Sequence, residues 1–557
     1  MSNKIHQWLS RPGIALFVIF TVTFAAYSGS FQNPFFMDDL AFIVNWDLIK
    51  DWKNLPQFFL GYTPPPGQEG IYSPFKTLMH AVNYSLFGLE PFGHHVFAFA
   101  SYLIAILFIY RIGLLLLKDH FAAFLCALVF ALHPTHIEYV SSLTGSVDAL
   151  GVNFLFISFY LYIVARKGGD RLDRKPYAGS LIFAFLAIYL HELCIILPVM
   201  FLWYDLTLAA HGRAYPKIAA RTAPYFLLSI TYVLAKYLTL GAVTRGRYLY
   251  DSFYLTMLVT VKAWAKYVYI SLFPKTLTYN HVISPGIYSY DQEDFDRVAV
   301  LSQSLLDPQV LLSLLVLGAV AYAAVRCYAR KPLVTFCIGW FFIGLLPGAN
   351  IIPSGVYFAE RYLYPGSLGL ALLFGHYVNA MAKSGRKIGM LRLSMLSALL
   401  IFVVTLCFAS RIWARNLDWR SEIAVHESGV RENPASALMR NDLGQIYLKY
   451  GLPQKAIDIF QTALAIRKDD PVLYFSMANA YIDLGEDEQG MRWLKKALRV
   501  DPEYAEAYYN LAGMHAKAGA TANAEGFLTK AVYYFEKQGR HEEAQKYEKA
   551  FKAFFSK

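Results

Sequence analysis

Charge is scarce in this chain: 16 % of its 557 residues are charged, against 56 % that are apolar. Soluble proteins of such length carry about a quarter charged residues. The deficit excludes a soluble globular protein, and repeated apolar runs of helix-spanning length set the class as polytopic membrane protein. Cysteine is scarce too. The five present (Cys126, Cys194, Cys327, Cys337 and Cys407) all fall in apolar stretches. None has a partner in an aqueous loop, which argues against a disulfide framework or a metal site. Acids are outnumbered, 40 Asp and Glu to 51 Lys and Arg, for a net charge of +11. That surplus is no nucleic-acid signature, because the basic residues gather in short loops between apolar runs. A small-x-small cleavage site is also missing after the apolar run from Ile14 to Tyr27. The run is therefore expected to remain as an uncleaved first span.

What is there divides in two. The predicted spans number eleven, at about 13–30, 95–117, 121–138, 149–166, 179–191, 192–210, 223–241, 309–328, 333–348, 365–382 and 393–411. Basic residues recur in alternate loops: Lys4 and Arg11; Arg111 and Lys118; Arg166, Lys167, Arg171, Arg174 and Lys175; Arg213, Lys217 and Arg221; Arg326, Arg330 and Lys331; Lys383, Arg386, Lys387 and Arg392. The positive-inside rule makes that side cytoplasmic and puts loop 31–94 outside. Residues 254–273 are apolar enough to be a further span. Lys262 and Lys266, four apart among Trp264, Tyr267 and Tyr269, instead suit a helix lying in the interface. The parity then places the C-terminus outside.

Beyond about residue 435 the chain turns polar and repeats every 34 residues. Gly444, Ala478 and Ala512 share a phase, as do Leu443, Met477 and Leu511, and Tyr447, Tyr481 and His515. So do Gly451, Gly485 and Gly519; Phe460, Leu494 and Leu528; and Ala463, Ala497 and Ala531. Six positions in register over three copies match the tetratricopeptide (TPR) pattern of paired helices. The stretch 539–554 reads as a capping helix. The predicted fold is thus all-α: a membrane domain over 1–412, a linker over 413–434 and a TPR solenoid over 435–557, whose groove suits an extended peptide.

Candidate chemistry sits on the outer side. Asp38 and Asp39 are adjacent at a membrane–water boundary, and such acids raise one another's pKa, which suits a proton acceptor. Arg361, at the outer mouth of the tenth span, can hold two phosphate oxygens at once or reach to lipid headgroups. His133 and His136 form a His-x-x-His pair with Glu138 close by. Pro134 within the pair and the lack of a third ligand argue against zinc, leaving hydrogen bonding at a helix end as the alternative. Glu192 lies between two spans, where ionisable groups are functional by default.

With Asn33-Pro34-Phe35-Phe36-Met37-Asp38-Asp39, further segments follow in order: Tyr72-Ser73-Pro74 through His80, Asn83 to Gly88, His133 to Glu138, Gly145 to Asp148, His191-Glu192, Leu272-Phe273-Pro274, Leu346-Pro347, and Glu360-Arg361-Tyr362-Leu363-Tyr364. This series resembles the GT-C glycosyltransferases, most closely the TMTC type, which joins a membrane domain to TPR repeats. The resemblance implies an inverting transfer of sugar from a polyprenyl-phosphate donor to an acceptor hydroxyl, such as protein Ser/Thr. One of Asp38 and Asp39 takes the acceptor proton and the other orients it. Arg361 and Lys76 would meet the donor phosphate. Tyr72, His80, His133, His136, Glu138, Asp148, His191, Glu192, Glu360 and Tyr362 would line the pocket. The implied partners are membrane lipid, the lipid-linked donor and a protein or peptide acceptor in the TPR groove. The implied place is the cytoplasmic (inner) membrane, with the active site and the TPR array on the periplasmic face; any divalent-metal requirement stays open. The chain departs from the family pattern at Ser73, where Arg is usual, at His191, where Lys is usual, and at Asn280, where Asp is common. Two other readings stand beside this one: an O-antigen-ligase-like glycan ligase or polymerase, and a non-catalytic membrane-anchored TPR scaffold.

Overall fold

The computed structural model describes residues 7–60, 64–65, 70–167, 172–209, 215–244, 246–284, 286–290, 304–388 and 391–555. Lys4, Arg171 and Arg213, counted among the basic loops, lie outside them. The chain divides into two compact units, Met1–Ser421 and Glu422–Lys557. Both are helical. The only strands among the described residues are two short antiparallel pairs, Val282–Ser284 with Ile287–Tyr288 and Lys387–Ile388 with Leu391–Arg392.

In the first unit eight helices among the described residues are long and apolar enough to cross a membrane. A ninth span forms if His120–Ala131 and Pro134–Ser141, bent by 52°, are counted together. The bend falls at His133-Pro134, where proline cannot continue the preceding hydrogen-bond ladder. The other two predicted spans coincide with helices that differ from a plain span. Arg174–Leu190 has 17 residues, about 25 Å of rise against a hydrocarbon core of about 30 Å. Leu363–Lys383 is long enough at 21 residues, but Gly366, Gly369, Gly375, His376 and Asn379 dilute its hydropathy.

Those glycines have a packing reason. A Cβ at Gly369 would come within 2.4 Å of the Cys337 carbonyl oxygen, and one at Gly375 within 2.5 Å of that of Ala122. Small residues thus let Leu363–Lys383 lie against Pro332–Leu345 on one side and His120–Ala131 on the other.

Helix Phe253–Leu272, expected in the interface, carries its lysines inward. Lys262 is buried, pairs with Asp307 and donates to Ser284 Oγ at 2.9 Å. Lys266 donates to the Val282 carbonyl at 2.8 Å. Both tie the helix to the short hairpin around residues 282–288, so its polar stripe reads tertiary pairing and not solvent.

The second unit stacks three helix pairs, Ala437–Lys449 with Pro453–Ile466, Pro471–Asp483 with Asp487–Val500, and Ala505–Lys517 with Thr521–Lys537, closed by His541–Phe555. The repeating glycines explain themselves. Gly451, Gly485 and Gly519 have φ of 69°, 85° and 73°, the left-handed turn that ends each first helix and that a side chain resists. Gly444 faces Phe460, and a Cβ there would lie 2.1 Å from its ring.

Residues 413–434, predicted as a linker, fold as helix almost throughout. Leu393–Asp418 runs on past the apolar run, and Glu422–Glu432 opens the second unit. Within that unit Glu422 accepts hydrogen bonds from Lys449 Nζ at 2.6 Å and Tyr450 OH at 3.0 Å. Glu422–Glu432 is an amphipathic helix with Ala424, Val425 and His426 buried.

Gly444→Val forces a branched side chain into the buried Phe460 ring. It should cost the Glu422–Lys557 unit about 1–3 kcal/mol, read as earlier unfolding in urea by limited proteolysis of that unit. Gly513→Ala, where nothing lies within 4 Å of the new Cβ, should leave the midpoint unchanged or raise it slightly.

Candidate active site

The Asp38-Asp39 pair follows a strained step. Met37 has φ of 51°, a left-handed conformation that costs an L-residue about 1–2 kcal/mol. It turns the chain so that neighbouring carboxylates meet different surroundings. Asp38 is exposed, while Asp39 is 3 % exposed. Asp39 Oδ1 accepts the backbone N–H of Thr144 at 2.8 Å. Thr144 lies in the first turn of helix Leu143–Ala165, where the N–H groups have no intrahelical partner and the helix dipole favours negative charge. Ser142 caps the same turn, its Oγ accepting from Gly145 N at 3.2 Å. Burial outweighs this favourable contact and, with Asp38 adding a smaller push, raises the Asp39 carboxyl from 3.8 to about 6.

One turn further along the same face stands Asp148. It pairs with Lys76 at 2.8 Å and with His191 Nδ1 at 3.5 Å. Lys76 reaches it from helix Pro74–Phe87 and lies 4.4 Å from the centroid of the Phe42 ring. His191 also meets the Tyr139 hydroxyl, at 3.3 Å from Nε2. Its approach depends on Gly151, where a Cβ would come within 2.7 Å of the His191 Cβ. Glu192 next to it pairs with Lys236 at 3.0 Å.

The Glu360-Arg361-Tyr362 turn separates two groups of charges. Arg361 pairs with Glu138 through its side chain, donates its backbone N–H to the same carboxylate at 3.2 Å, and reaches the Tyr290 hydroxyl at 2.9 Å. Its guanidinium lies 5.7 Å from the centroids of both Tyr290 and Tyr362, and its side chain stays 25 % exposed. Glu360 turns away into a buried set. It accepts from Thr278 N and faces His281 Nε2, each at 2.8 Å, and lies 3.9 Å from Arg415. Burial raises the Glu360 carboxyl and depresses the His281 imidazole.

The structure therefore brings Asp39, Lys76, Asp148, His191 and Tyr139 to the start of helix Leu143–Ala165, with Glu138 and Arg361 adjoining through Tyr139 and the preceding turn. Other predicted pocket residues stand in walls. His133 bonds to Thr135 Oγ1 at 2.7 Å and the Ser271 carbonyl at 3.0 Å. His136, fully buried, bonds to Tyr102 OH at 3.0 Å and Ser367 Oγ at 3.1 Å. Both imidazoles hold the bend after His120–Ala131 to its neighbours. Tyr72 packs against Tyr232, whose hydroxyl donates to the Tyr72 carbonyl at 2.9 Å. His80 is buried and stacks on Phe42; burial lowers its imidazole to about 3, so it is neutral at ordinary pH. Asn280 accepts from Ser289 N at 2.9 Å and closes the hairpin. Tyr139, Tyr290, His281 and Arg415 escaped sequence reasoning. The partners of the first three, His191, Arg361 and Glu360, lie 52, 71 and 79 residues away, and Arg415 meets Glu360 on another element besides its near neighbour Asp418.

The second unit matches a TPR repeat model over residues 478–519 and a tetratricopeptide repeat model over 424–471. Among curated proteins the chain is similar to the Protein O-mannosyl-transferase Tmtc3 of Drosophila melanogaster, 24 % identical with 80 % of this chain and 55 % of that protein covered. It is similar also to the Protein O-mannosyl-transferase TMTC3 of Mus musculus, 23 % identical over 89 % of this chain and 57 % of the relative. The resemblance to the TMTC type read from the motifs thus extends along most of the chain, which spans a little over half the length of these relatives. Among solved structures, ArnT from Cupriavidus metallidurans bound to undecaprenyl phosphate aligns with a TM-score of 0.40 at 13 % identity, covering 90 % of this chain and 80 % of that one. AglB from Archaeoglobus fulgidus, in complex with an inhibitory peptide and a dolichol-phosphate, aligns with a TM-score of 0.43 at 13 % identity, covering 73 % and 56 %.

The Lys76–Asp148 pair generates a stability test. Lys76→Met strips the cation from a carboxylate whose side chain is 16 % exposed and should destabilise the membrane unit by about 3 kcal/mol. Lys76→Met with Asp148→Asn should recover most of that loss in thermal melts of the detergent-solubilised protein.

Proposed function

We propose that the chain is a glycosyltransferase that moves a sugar from a polyprenyl-phosphate donor to a Ser or Thr hydroxyl of a protein, with inversion, at the extracytoplasmic face. The names of the relatives make mannose the first sugar to try. The observation that carries the reading is the division of labour between the adjacent acids. Asp39 is spent on the Thr144 N–H, whereas Asp38 is exposed and has an oxygen to offer an incoming hydroxyl. Asp38 is the general base, and Asp39 is a positioning residue that anchors the segment to the helix start.

In the reaction the acceptor oxygen attacks the anomeric carbon as its proton passes to Asp38. The bond from that carbon to the phosphate oxygen breaks on the opposite side, and its electron pair leaves with the phosphate. Arg361, held between Tyr290 and Tyr362, meets the phosphate from the side of the acids. Glu138 fixes the guanidinium, and Lys76 fixes Asp148 as a partner for sugar hydroxyls. The groove of the TPR unit, about 720 Å³ and lined by Gln445, Lys449, Asn479, Asp483 and Asn510, offers amides and both charge signs to an extended acceptor peptide.

Asp38→Asn should lower transfer by about 10²–10⁴-fold, the usual worth of a general base, with thermal stability retained. Asp39→Asn can still accept the Thr144 N–H through its amide oxygen, so the loss should be smaller and its pH signature different. The Asp39 carboxyl ionises at about 6 in the fold against 3.8 ordinarily. Folding therefore costs more above that range than below it, and the ionised form, the stronger acceptor of the Thr144 N–H, prevails only above about 6. Wild-type turnover should fall as pH drops through 6, and Asp39→Asn should flatten that limb. Near-normal transfer by Asp38→Asn would overturn the assignment.

Sidedness follows from the basic loops. In a cysteine-free background, cysteines at Ser28 and at Glu488, whose side chain is 86 % exposed, should both react with an impermeant maleimide on intact cells or sealed, correctly oriented vesicles. Protection of the Glu488 position alone would place the TPR unit on the cytoplasmic side.

A further inference from the structure

The hairpin around residues 282–288 leads into a braced tyrosine. Ser289 donates its N–H to Asn280 Oδ1 at 2.9 Å, and its Oγ accepts the His281 N–H at 2.9 Å. Its carbonyl accepts the Tyr357 N–H at 2.8 Å. With its neighbour fixed on three sides, Tyr290 stands beside Arg361, whose Nη1 donates to the phenol oxygen at 2.9 Å.

Arg361 divides its donors. Its backbone N–H and Nη1 go to Glu138, and Nη1 goes also to Tyr290. Nε and Nη2 donate to no group among the described residues, and they form the edge of a guanidinium that takes two phosphate oxygens at once. A sugar joined to a phosphate on that edge must lie close to the rings that flank the guanidinium. Tyr290 and Tyr362 flank it, each with its centroid 5.7 Å away. Tyr362 is 7 % exposed and packs with Tyr267 and Phe358, whereas Tyr290 is 37 % exposed. Tyr139, on the Glu138 side, is buried. Tyr290 therefore has ring surface to give where the other two have almost none. A ring face is apolar and slightly negative, and a pyranose offers it C–H groups that are apolar and slightly positive. Glu138 spends both carboxylate oxygens on Arg361. That leaves Asp148, within electrostatic reach of the same guanidinium, to meet hydroxyl groups.

We propose that Tyr290 is the sugar contact of the donor: a pyranose whose phosphate sits on the Nε–Nη2 edge of Arg361 lays one C–H face on the Tyr290 ring, with its hydroxyls toward Asp148. The assignment rests on the transferase reading and adds to it the residue that recognises the sugar. Tyr290 then has two separable parts. Its hydroxyl steadies Arg361, and its ring distinguishes a sugar-bearing carrier from a carrier without one.

The experiment measures carrier binding to the full-length protein in nanodiscs by native mass spectrometry. One probe is polyprenyl phosphomannose. The other is the methyl ester of the same polyprenyl phosphate, which has the same charge and no sugar. The wild type should bind the phosphomannose more tightly. Tyr290→Phe and Tyr290→Leu both lose the hydroxyl that meets Arg361, so the difference between them reports the ring. They should bind the methyl ester alike. Tyr290→Leu should bind the phosphomannose about tenfold more weakly than Tyr290→Phe does, the worth of covering roughly 50 Å² of apolar surface. Equal binding of the two probes by the wild type overturns the contact without recourse to a variant. So does equal phosphomannose binding by the two variants, or a loss in Tyr290→Leu that is the same for both probes, which would make the ring a support for Arg361 alone. Because binding is read without turnover, the two claims fail separately. Ring-dependent phosphomannose binding with no sugar transfer refutes the transferase reading and keeps the contact. Transfer with equal phosphomannose affinity in the two variants does the reverse.

Discussion

The hydrogen bond from the Thr144 N–H to the Asp39 carboxylate is the contact on which the candidate site of the membrane unit depends. It joins the segment after the first apolar helix to the start of Leu143–Ala165. The helix start supplies unpaired N–H groups and a favourable dipole; burial supplies the opposing cost. A carboxylate so placed holds its segment in one position, and the left-handed Met37 turns the neighbouring Asp38 outward. Asp148 follows one turn later on the same helix, so a single element sets the spacing of the anchor and the Lys76–His191 cluster.

Charge pairing then builds the surroundings. Lys76 with Asp148, Lys236 with Glu192 and Arg361 with Glu138 each match a cation to an acid on another element. Such pairs cost about as much in desolvation as they return in attraction, but breaking one leaves a stranded charge. They therefore act chiefly to specify which helix ends meet. The glycines work to the same end: Gly151 admits His191, and Gly348 makes room for Tyr362, whose ring a Cβ there would approach to 2.4 Å. Around Glu360 the pattern recurs, with Arg415 3.9 Å from Glu360 and 3.4 Å from Asp418.

Much of this was legible in the sequence because it is periodic or local. The 34-residue register needs no partner to be seen, and the left-handed glycines at 451, 485 and 519 bear out its turns. Apolar runs announced the spans, except where Leu363–Lys383 trades hydropathy for close packing through Gly366, Gly369 and Gly375. The acid pair was visible, but its division into anchor and exposed acid was not, since that depends on Thr144, 105 residues away. The resemblance implied His133 and His136 as pocket residues and their spacing left hydrogen bonding at a helix end as the alternative; in the fold they bond to Ser271 and Ser367. Residues 413–434, left between the last apolar run and the first repeat and so read as a linker, are largely helical.

The most direct measurement of the central claim is a structure of the full chain with a non-cleavable phosphonate analogue of a polyprenyl phosphosugar and a hydroxyl-bearing peptide. The account predicts the peptide oxygen about 3 Å from an Asp38 carboxylate oxygen and about 3–3.5 Å from the anomeric carbon, with Asp39 still bonded to Thr144. A sugar bound away from Asp38, or an acceptor hydroxyl facing any other base, would contradict it.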